Sequence, residues 1–294
     1  MYVVRKEEEM AGHESWLNSV RSLELDSRLL SPADIDRLVP GGSERWAGGI
    51  YTPSDGRAEP ELAASAIANA AIAKGAIVVE NCAVRGLVQS AGKVSGVMTE
   101  RGEIVCEHVI LAGGLWSRRF LGNLGISLPT LPLVSSVFRT EPFDMPVDIA
   151  VGAPDFSFRK RHDGGFTITQ RGALDAPLML DHLLIGLRYL HLLVGQRGLL
   201  RIGLGKEALD DLKLGRRWRL DATSPFERCR TMDPETNPVL NEEAMRSLTA
   251  AWPVFRNIRV KQAWAGMMAV TPDSLPVIGP VDKLPGLTLA TGFS

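Results

Sequence analysis

The chain has 294 residues, enough for one large domain or two smaller ones. Hydrophobic residues make up 45% of it and charged residues 23%, as in ordinary soluble globular proteins, and the formal net charge is −1. A net charge so close to zero gives no electrostatic reason to expect a nucleic acid or an anionic membrane as partner. Composition therefore predicts a globular protein with no nucleic-acid function.

The three cysteines and five histidines show no spacing typical of a structural site. The cysteines form no CxxC pair, and the histidines are scattered without metal-ligand spacing. The start of the chain, MYVVRKEEEM, contains no apolar stretch of signal-peptide length. We therefore expect a cytoplasmic protein with reduced thiols, no disulfide scaffold and no metal site.

The N-terminal residues predict a short strand and two helices. Tyr2–Arg5 has the pattern of a strand, and the stretch from Glu7 to Leu23 has that of a helix. A second helix is predicted to begin after Ser31, because serine is a good N-cap residue and Pro32 suits the first helical position.

An alanine-rich helix and a series of short strands come next. Pro60 is predicted to open the helix and Gly75 to close it, and Ala76–Glu80 predicts a strand. Turn residues then separate further predicted strands, at Ala83–Gln89, Lys93–Thr99 and Glu103–Val109.

A strand followed by two glycines is the first motif that indicates a binding site. The run Val109–Ala112 is wholly apolar, as is typical of a strand buried on both faces, and it leads directly into Gly113-Gly114 and Trp116. Glycines at the carboxyl end of a strand let backbone amides approach a cofactor closely. The alternative is an ordinary glycine turn, with Trp116 in the core.

From residue 129 onward the pattern changes to that of a second domain. Phe156–Arg161 and Phe166–Arg171 flank turn residues and predict a β-hairpin. The leucine-rich stretch that follows is interrupted by charged residues too often to cross a bilayer, so Leu178–Val194 predicts a helix packed on a sheet rather than a membrane contact. Asn241–Leu248 predicts a further helix, and Arg259–Trp264 a strand.

The last stretch, WAGMMAVTPDSLPVIGPVDKLPGLTLATGFS, carries the second motif. Its glycines, prolines and short apolar runs predict a turn, a very short strand, a turn and a final strand that ends in glycine. A buried strand ending in glycine is typical of a place where a ligand approaches the backbone. An ordinary loop-rich C-terminus is the alternative.

Together, VILAGGLWS and the C-terminal motif resemble the D-amino-acid-oxidase-like family of FAD-dependent oxidoreductases, which includes glycine, sarcosine and dimethylglycine oxidoreductases. The resemblance covers nearly the whole chain. It implies an α/β plus α+β fold, in which a Rossmann-like FAD-binding domain, here incomplete, accompanies a substrate domain with an antiparallel sheet. On this basis residues 1–48 and 129–265 belong to the substrate domain, and residues 49–128 and 266–294 to the middle and truncated C-terminal portions of the FAD-binding domain.

The resemblance also implies FAD as cofactor and a set of residues that contact it. These candidates are Val84, Ala112, Gly113, Gly114, Trp116, Gly266, Thr271, Asp273, Gly292, Phe293 and Ser294. In the family a βαβ unit with a GxGxxG turn holds the FAD pyrophosphate, and a glycine-rich stretch follows the GFS sequence. Neither occurs in these residues, so we expect the chain to be N- and C-terminally incomplete and, alone, inactive and weak in binding FAD.

The implied reaction is oxidation of the C–N bond of an amine or amino acid by hydride transfer to flavin. Its partners are that small-molecule substrate and an electron acceptor, either oxygen or another carrier. Two alternatives remain open: oxidation of a hydroxy compound on the same scaffold, and a truncated flavoprotein fragment without catalytic activity.

One residue departs from the family pattern on the substrate side. In the glycine-oxidase branch an arginine stands two residues after the glycine of the C-terminal motif and binds the substrate carboxylate. Met268 occupies that position here, and a thioether cannot neutralise a carboxylate. The hairpin arginines Arg159, Arg161 and Arg171 are candidate substitutes, with solvated strand charges as the alternative. We therefore expect a bulkier or secondary amine as substrate, rather than glycine or a simple D-amino acid.

Overall fold

The computed structural model describes residues 1–189, 200–203 and 206–293. The chain divides into two compact units, each built from three separate stretches of sequence. Unit 1 comprises Met1–Ile77, Ser136–Leu174 and Glu235–Ala265. Unit 2 comprises Val78–Ser135, Asp175–Pro234 and Gly266–Ser294. We describe each unit by itself.

The helices and strands are numbered in chain order. The α-helices are α1 Glu7–Ser19, α2 Pro32–Leu38, α3 Pro60–Ala73, α4 Trp116–Asn123, α5 Leu180–Ile185, α6 Lys206–Lys213, α7 Pro225–Arg228 and α8 Pro238–Ala251. The strands are β1 Tyr2–Val4, β2 Arg28–Leu30, β3 Gly48–Tyr51, β4 Val84–Ser90, β5 Lys93–Thr99, β6 Gly102–Val105, β7 Val109–Leu111, β8 Leu131–Thr140, β9 Val151–Gly152, β10 Phe156–Lys160, β11 Phe166–Gln170, β12 Leu174–Pro177, β13 Leu200–Gly203, β14 Val260–Val270, β15 Val277–Pro280 and β16 Leu287–Thr291.

Unit 1 is organised around a largely antiparallel sheet with the strand order β8-β11-β10-β9-β1-β3-β2. Neighbouring strands pair antiparallel except for β1 and β9, which are parallel. Helix α8 begins after Asn237, whose Oδ1 accepts hydrogen bonds from the backbone N–H groups of Val239 and Leu240 at 3.0 and 3.4 Å. The buried residues of α8 repeat at helical spacing and pack on β10 and β11: Leu240, Ala244, Leu248 and Ala251.

Aromatic side chains fill the core of unit 1. Trp46 stacks on Trp252 with ring centroids 5.6 Å apart, and the Phe156 and Phe158 rings meet Trp252 edge-on. Because side chains alternate along a strand, burial of Phe156 and Phe158 sends Ser157 and Arg159 to the opposite face of the sheet. This alternation gives unit 1 one apolar face and one polar face.

Unit 2 contains two small sheets that differ in strand direction. Strands β4, β5 and β6 form an antiparallel meander, and the β4–β5 turn has positive φ at both Ala91 and Gly92, at 49° and 76°. In the other sheet, β16 pairs antiparallel with β15 and parallel with β7. Helix α4 follows β7 after a short turn, and apolar side chains of α4 and β16 share one core, including Phe120, Leu121, Leu287 and Leu289.

The predicted fold class, a mixed α/β and antiparallel architecture, is confirmed. Helix α2 begins after Ser31, whose side chain pairs with Asp34 in a capping box, and the hairpin forms from β10 and β11 as predicted. The assignment of sequence ranges to an FAD-binding and a substrate domain stays a prediction.

Three predictions about strands are wrong, because strand formation and burial depend on neighbouring residues. Ala76–Glu80 is not a strand, because a strand exists only in a ladder and these residues pair with no neighbour in the described part of the chain; Ile77 is 89% exposed. Strand β7 is not buried on both faces, since it lies at the edge of its sheet and Ile110 is 69% exposed. The strand predicted for Glu103–Val109 ends at Val105. The apolar composition of these segments predicted that they would be buried, but the residues around them in the structure leave them exposed.

The leucine-rich helix is also shorter than predicted. Helix α5 covers Leu180–Ile185 and continues as a 3₁₀ turn over Gly186–Tyr189, while the remaining predicted positions, 190–194, lie outside the described residues. Similarly, α1 ends at Ser19 and a 3₁₀ turn covers Arg21–Leu23. No helix in the described residues combines the length and the apolar character that a bilayer span requires.

Candidate functional site

A cavity of about 430 Å³ lies in unit 2, beside the carboxyl end of β7, and we call it the strand-end cavity. Its walls are mostly apolar, and they bring together residues that are distant in sequence. The residues that line it include Cys82, Val84, Gly113, Trp116, Phe226 and Arg230. Three of the predicted cofactor residues, Val84, Gly113 and Trp116, therefore line one cavity.

The topology of the small sheet explains why the two glycine motifs meet. Strands β7 and β16 are parallel neighbours, so their carboxyl ends lie at the same edge. Gly113-Gly114 follows β7 and Gly292 follows β16, and the Thr291 hydroxyl donates a hydrogen bond to the Gly114 carbonyl at 3.1 Å. Ligands of α/β sheets commonly bind at the carboxyl edge of parallel strands.

The glycines at this edge keep the backbone accessible. Gly114 and Gly292 have φ of +51° and +76°, a left-handed conformation that other residues adopt only with strain. A Cβ atom on Gly113 would lie 3.3 Å from Ser117 Oγ and 3.5 Å from Leu111 Cδ1. A side chain at position 113 would therefore crowd Ser117 and the end of β7, whereas glycine leaves the backbone bare.

The loop that carries Thr271 and Asp273 is tied to the same edge. Thr271 Oγ1 donates to the Leu275 carbonyl at 2.8 Å, and Asp273 accepts from the Leu275 N–H at 3.1 Å. That backbone hydrogen bond, with help from the Thr271 side chain, lowers the pKa of Asp273 below its usual value. A Cβ atom on Gly292 would lie only 3.0 Å from Thr271 Cγ2, so loop and strand end require a glycine to pack this closely.

These features fit a bound FAD. The strand-end cavity offers apolar walls for an aromatic ring system, and the adjoining edge offers backbone groups cleared of side chains, as dinucleotide sites require. The fit therefore rests on the bare backbone at Gly113 and the apolar walls, both of which are properties of this chain.

A second cavity, of about 350 Å³, lies in unit 1, and we call it the arginine cavity. Its polar lining comes from the face of the β10–β11 hairpin that points away from the aromatic core. Cross-strand pairing places Arg159 beside Thr167 and Ser157 beside Thr169, and Arg171 follows directly after β11. Asp55 and Tyr2 complete the lining that concerns us. Cationic and hydroxyl groups thus face one space.

Glu59 neutralises one of these arginines. Its carboxylate accepts hydrogen bonds from Arg159 Nη1 and Nη2 at 3.2 and 3.4 Å, and from the His162 N–H at 3.2 Å. Arg161 Nη1 lies 3.4 Å from the same carboxylate, whose side chain is only 9% exposed. Burial raises the pKa of Glu59, but the hydrogen bonds from Arg159 and His162 outweigh it and lower the pKa below its usual value. Glu59 therefore stays charged and holds both Arg159 and Arg161 in place.

Arg171 differs from Arg159 because no carboxylate pairs with it among the described residues. Its guanidinium lies over the Tyr2 ring, 4.8 Å from the centroid, and Nη1 donates weakly to the Ala153 carbonyl at 3.5 Å. Asp55 lines the same cavity, but no ion pair joins it to either arginine in the described part of the chain. Arg171 is thus a cation whose charge is available to an anionic ligand.

The other predicted residues lie apart from these cavities. Gly266 lies exposed within β14, and Met268 is half-buried two residues further along the same strand. Ala112 is exposed between β7 and Gly113, and Phe293 is exposed after Gly292. Ser294 lies outside the described residues.

Sequence reasoning missed several residues that line the cavities or support them. The hydroxyls of Ser157, Thr167 and Thr169 could have been found, because they alternate with Phe and Ile along two strands of a predicted hairpin. Glu59, Phe226 and Arg230 carried no local signal, since they reach the sites from elsewhere in the chain.

Comparisons with known proteins agree with this architecture. L-Amino acid deaminase from Proteus myxofaciens, in a complex with anthranilate, superimposes with a TM-score of 0.93 at 28% identity, over 99% of this chain and 66% of that one. D-Amino acid dehydrogenase of Bradyrhizobium diazoefficiens is 31% identical over 121 residues, covering 41% of this chain and 28% of that protein. Glycine oxidase of Pseudomonas aeruginosa is 27% identical over 217 residues, covering 72% of this chain and 43% of that protein.

The chain spans less than half the length of these curated relatives. A family model described as FAD dependent oxidoreductase, DAO, nevertheless matches residues 1–294. This match confirms the resemblance that the two glycine motifs indicated, and FAD is the cofactor of the family. The chain therefore belongs to the DAO family of FAD dependent oxidoreductases.

Proposed function

We propose that the protein oxidises the C–N bond of an amine or amino acid. FAD, when bound, supplies the acceptor for a hydride from the carbon next to the substrate nitrogen. The observation that carries the substrate side of this proposal is the arginine cavity, in which Arg171 has no acidic partner among the described residues. Family relatives named for amine and amino-acid substrates support the same reaction class.

The residues proposed to hold FAD are those around the strand-end cavity. Val84, Gly113 and Trp116 line it, and Ala112 and Gly114 flank Gly113 at the same strand end. Thr271 and Asp273 lie in the adjoining loop, which packs against Gly292 at the end of β16, while Gly266, Phe293 and Ser294 remain candidates on the resemblance alone. The role of these residues is to bind the cofactor and orient it.

The side chains of unit 1 are suited to a zwitterion. A substrate carboxylate can form paired, charge-assisted hydrogen bonds with Arg171, and the hydroxyls of Thr167 and Thr169 add neutral donors. Asp55, on the same cavity, is an acceptor for a substrate ammonium group. Arg159 contributes less net charge, because Glu59 already neutralises it.

Met268 narrows the proposed substrates. Where the glycine-oxidase branch has an arginine, a half-buried thioether offers contact area but no charge. An apolar side chain there favours substrates that bring a carbon substituent to it, so we propose a bulkier or secondary amine rather than glycine or D-alanine. The electron acceptor is proposed to be oxygen or another carrier.

A hydroxy acid is the second candidate, because it has the same carboxylate for Arg171. The two differ at the nitrogen: only an amino acid has an ammonium group for Asp55 to bind. Asp55→Asn should therefore raise KM for amino-acid substrates and leave KM for hydroxy acids unchanged.

The decisive test is anaerobic reduction of the flavin-loaded full-length protein by a panel of compounds, followed by bleaching of flavin absorbance. We expect secondary or bulky amino acids to reduce it fastest. Reduction by 2-hydroxy acids alone would replace the proposal with C–O oxidation, and fast reduction by glycine would contradict the argument from Met268. A correctly folded full-length protein that takes up no flavin would favour the non-catalytic alternative.

A further inference from the structure

A segment that the family motifs do not include forms one side of the strand-end cavity. We call Ser224–Arg230 the aromatic wall, because Phe226 packs into a cluster of rings there. The Phe226 ring meets Trp116 edge-on at 5.5 Å and Trp218 edge-on at 5.2 Å, and lies 6.1 Å from Phe120. Phe226 thus contacts the predicted cofactor residue Trp116 and faces the same cavity.

Two ion pairs fix the aromatic wall to the meander strands. Arg85, next to Val84, binds Glu227 through Nη2 at 2.7 Å and Nε at 3.1 and 3.2 Å. Arg230 binds Glu100 through both Nη atoms, at 2.8 and 2.7 Å, and Glu100 also accepts from the Ala83 N–H at 2.6 Å. The first pair therefore ends on β4, the strand that carries Val84, and the second ends on Glu100, directly after β5.

Local geometry fixes the wall further. Glu227 also accepts from the Ser224 N–H at 2.6 Å and the Ser224 hydroxyl at 2.7 Å, which closes a capping box at the start of α7. Arginine hydrogen bonds lower the pKa of both Glu100 and Glu227 to about 2, so both carboxylates are charged at neutral pH. The aromatic wall is therefore held in place by charged contacts. These contacts fix the backbone from which Phe226 and Arg230 face the cavity.

The chemistry of the two side chains matches an adenine nucleoside. Arginine has five N–H donors, and Glu100 occupies two of those of Arg230, which leaves donors for a ring nitrogen, a ribose hydroxyl or a phosphate oxygen. The guanidinium plane and the Phe226 ring are both surfaces on which an aromatic base stacks. Most of the other walls of the cavity, among them Val84, Val97 and Leu111, are apolar.

We propose that the aromatic wall is part of the cofactor site, with Phe226 and Arg230 binding the adenosine portion of FAD. The inference rests on the proposed function, which places FAD at the strand-end cavity. It adds a specific role for a segment between the glycine motifs: the wall determines affinity for the adenine nucleoside, independently of the residues that contact the flavin ring.

The test measures dissociation constants of FAD, ADP and riboflavin for the protein and its variants. Phe226→Ala should weaken the binding of FAD and ADP by about tenfold or more, as expected for a lost stacking partner, and leave the binding of riboflavin unchanged. Phe226→Leu should retain part of the affinity, and Arg230→Gln should weaken ADP binding. The control is Arg219→Gln, which breaks the exposed Arg219–Asp221 pair outside the cavity.

Cysteine labelling gives a readout that needs no variant. Cys82 lines the strand-end cavity, whereas Cys106 packs against the neighbouring core. Saturating ADP should slow alkylation of Cys82 by N-ethylmaleimide and leave Cys106 unaffected, as mapped by mass spectrometry. Wild-type protein that binds FAD while Phe226→Ala and Arg230→Gln bind ADP equally well would overturn this inference alone. Folded full-length wild-type protein that binds neither FAD nor ADP would overturn the proposed FAD site as well.

Discussion

The strand-end cavity and the arginine cavity are built on different principles. The first depends on shape: two parallel strands end together, glycines leave the backbone bare, and apolar side chains form the walls. The second is shaped by side-chain charge: a hairpin face presents arginines, and a distant glutamate decides which of them remains unpaired. A site of the first kind is sensitive to added volume, and one of the second kind to the loss of a single charge.

This contrast also separates the proposed roles. A planar cofactor with many apolar atoms needs shape and a bare backbone, whereas a small anion needs a cation that is not already neutralised. Glu59 and Glu227 act similarly in the two sites, since each holds an arginine in place with a carboxylate that is mostly buried.

Gly113→Val should abolish FAD binding. The Cβ position already lies 3.3 Å from Ser117 Oγ and 3.5 Å from Leu111 Cδ1, so the two further methyl groups of valine must displace a neighbour or enter the adjoining strand-end cavity. Overpacking of this kind costs about 1–3 kcal/mol even where neighbours can move, and here it also occupies the cofactor volume. The measurement is flavin content after purification and titration with FAD. Gly122→Ala is the matched control, because a Cβ atom there meets nothing within 4 Å; equal flavin content in both variants would contradict the assignment.

Arg171→Leu should weaken binding of carboxylate ligands by about two orders of magnitude, as expected when a charged hydrogen-bond partner is lost. Leucine keeps apolar contact with Tyr2 but removes the guanidinium. Benzoate is a suitable probe, measured by its effect on thermal unfolding and by calorimetry. Arg28→Leu is the control, since Arg28 also lies over a tyrosine ring, 5.9 Å from the Tyr51 centroid, but does not line the cavity. Benzoate binding that falls equally in both variants would show that Arg171 has no special role.

The contrast explains how much the sequence could predict. The strand-end glycines and the Ser31 cap are local features, because each is required by the conformation of the residue that bears it. The hairpin was likewise predictable from alternation and turn residues. Glu59 was not, since its contact with Arg159 joins residues one hundred positions apart. Ala76–Glu80 was predicted wrongly because strand character depends on a pairing partner, which these residues do not carry themselves.

Gly152→Ala should move Arg171 and reduce carboxylate affinity by about tenfold, with little loss of stability. A Cβ atom at this position would lie 2.2 Å from Arg171 Nη1 and 2.7 Å from Tyr2 Cδ1, so the stacked pair must separate. The end of the Arg171 side chain is flexible and the exposed Tyr2 ring can turn, so the cost to folding should lie near the lower end of the range for overpacking, at about 1 kcal/mol. The measurement is benzoate affinity beside urea unfolding. Gly12→Ala is the control, because a Cβ atom there meets nothing within 4 Å. Unchanged affinity in Gly152→Ala would mean that the Arg171–Tyr2 stack does not set the anion site.

The smallest expected effect is the pH dependence of the stability that the Arg85–Glu227 pair contributes to the aromatic wall. Hydrogen bonds from Arg85 lower the pKa of Glu227 from its ordinary 4.5 to about 2. A lowered pKa in the folded protein means that the stabilisation is fully present above pH 4.5 and is lost as the pH falls towards 2. The Glu227→Gln variant lacks this contribution. The free energy of unfolding of the wild type should therefore exceed that of the variant by about 1 kcal/mol near pH 7, after allowance for screening by water. The difference in free energy of unfolding, measured with urea, should shrink steadily below pH 4.5. Asp221→Asn, at an exposed pair, should show almost no such difference. A Glu227→Gln difference that stayed constant down to pH 2.5 would mean that the carboxylate is not held by Arg85 as the wall requires.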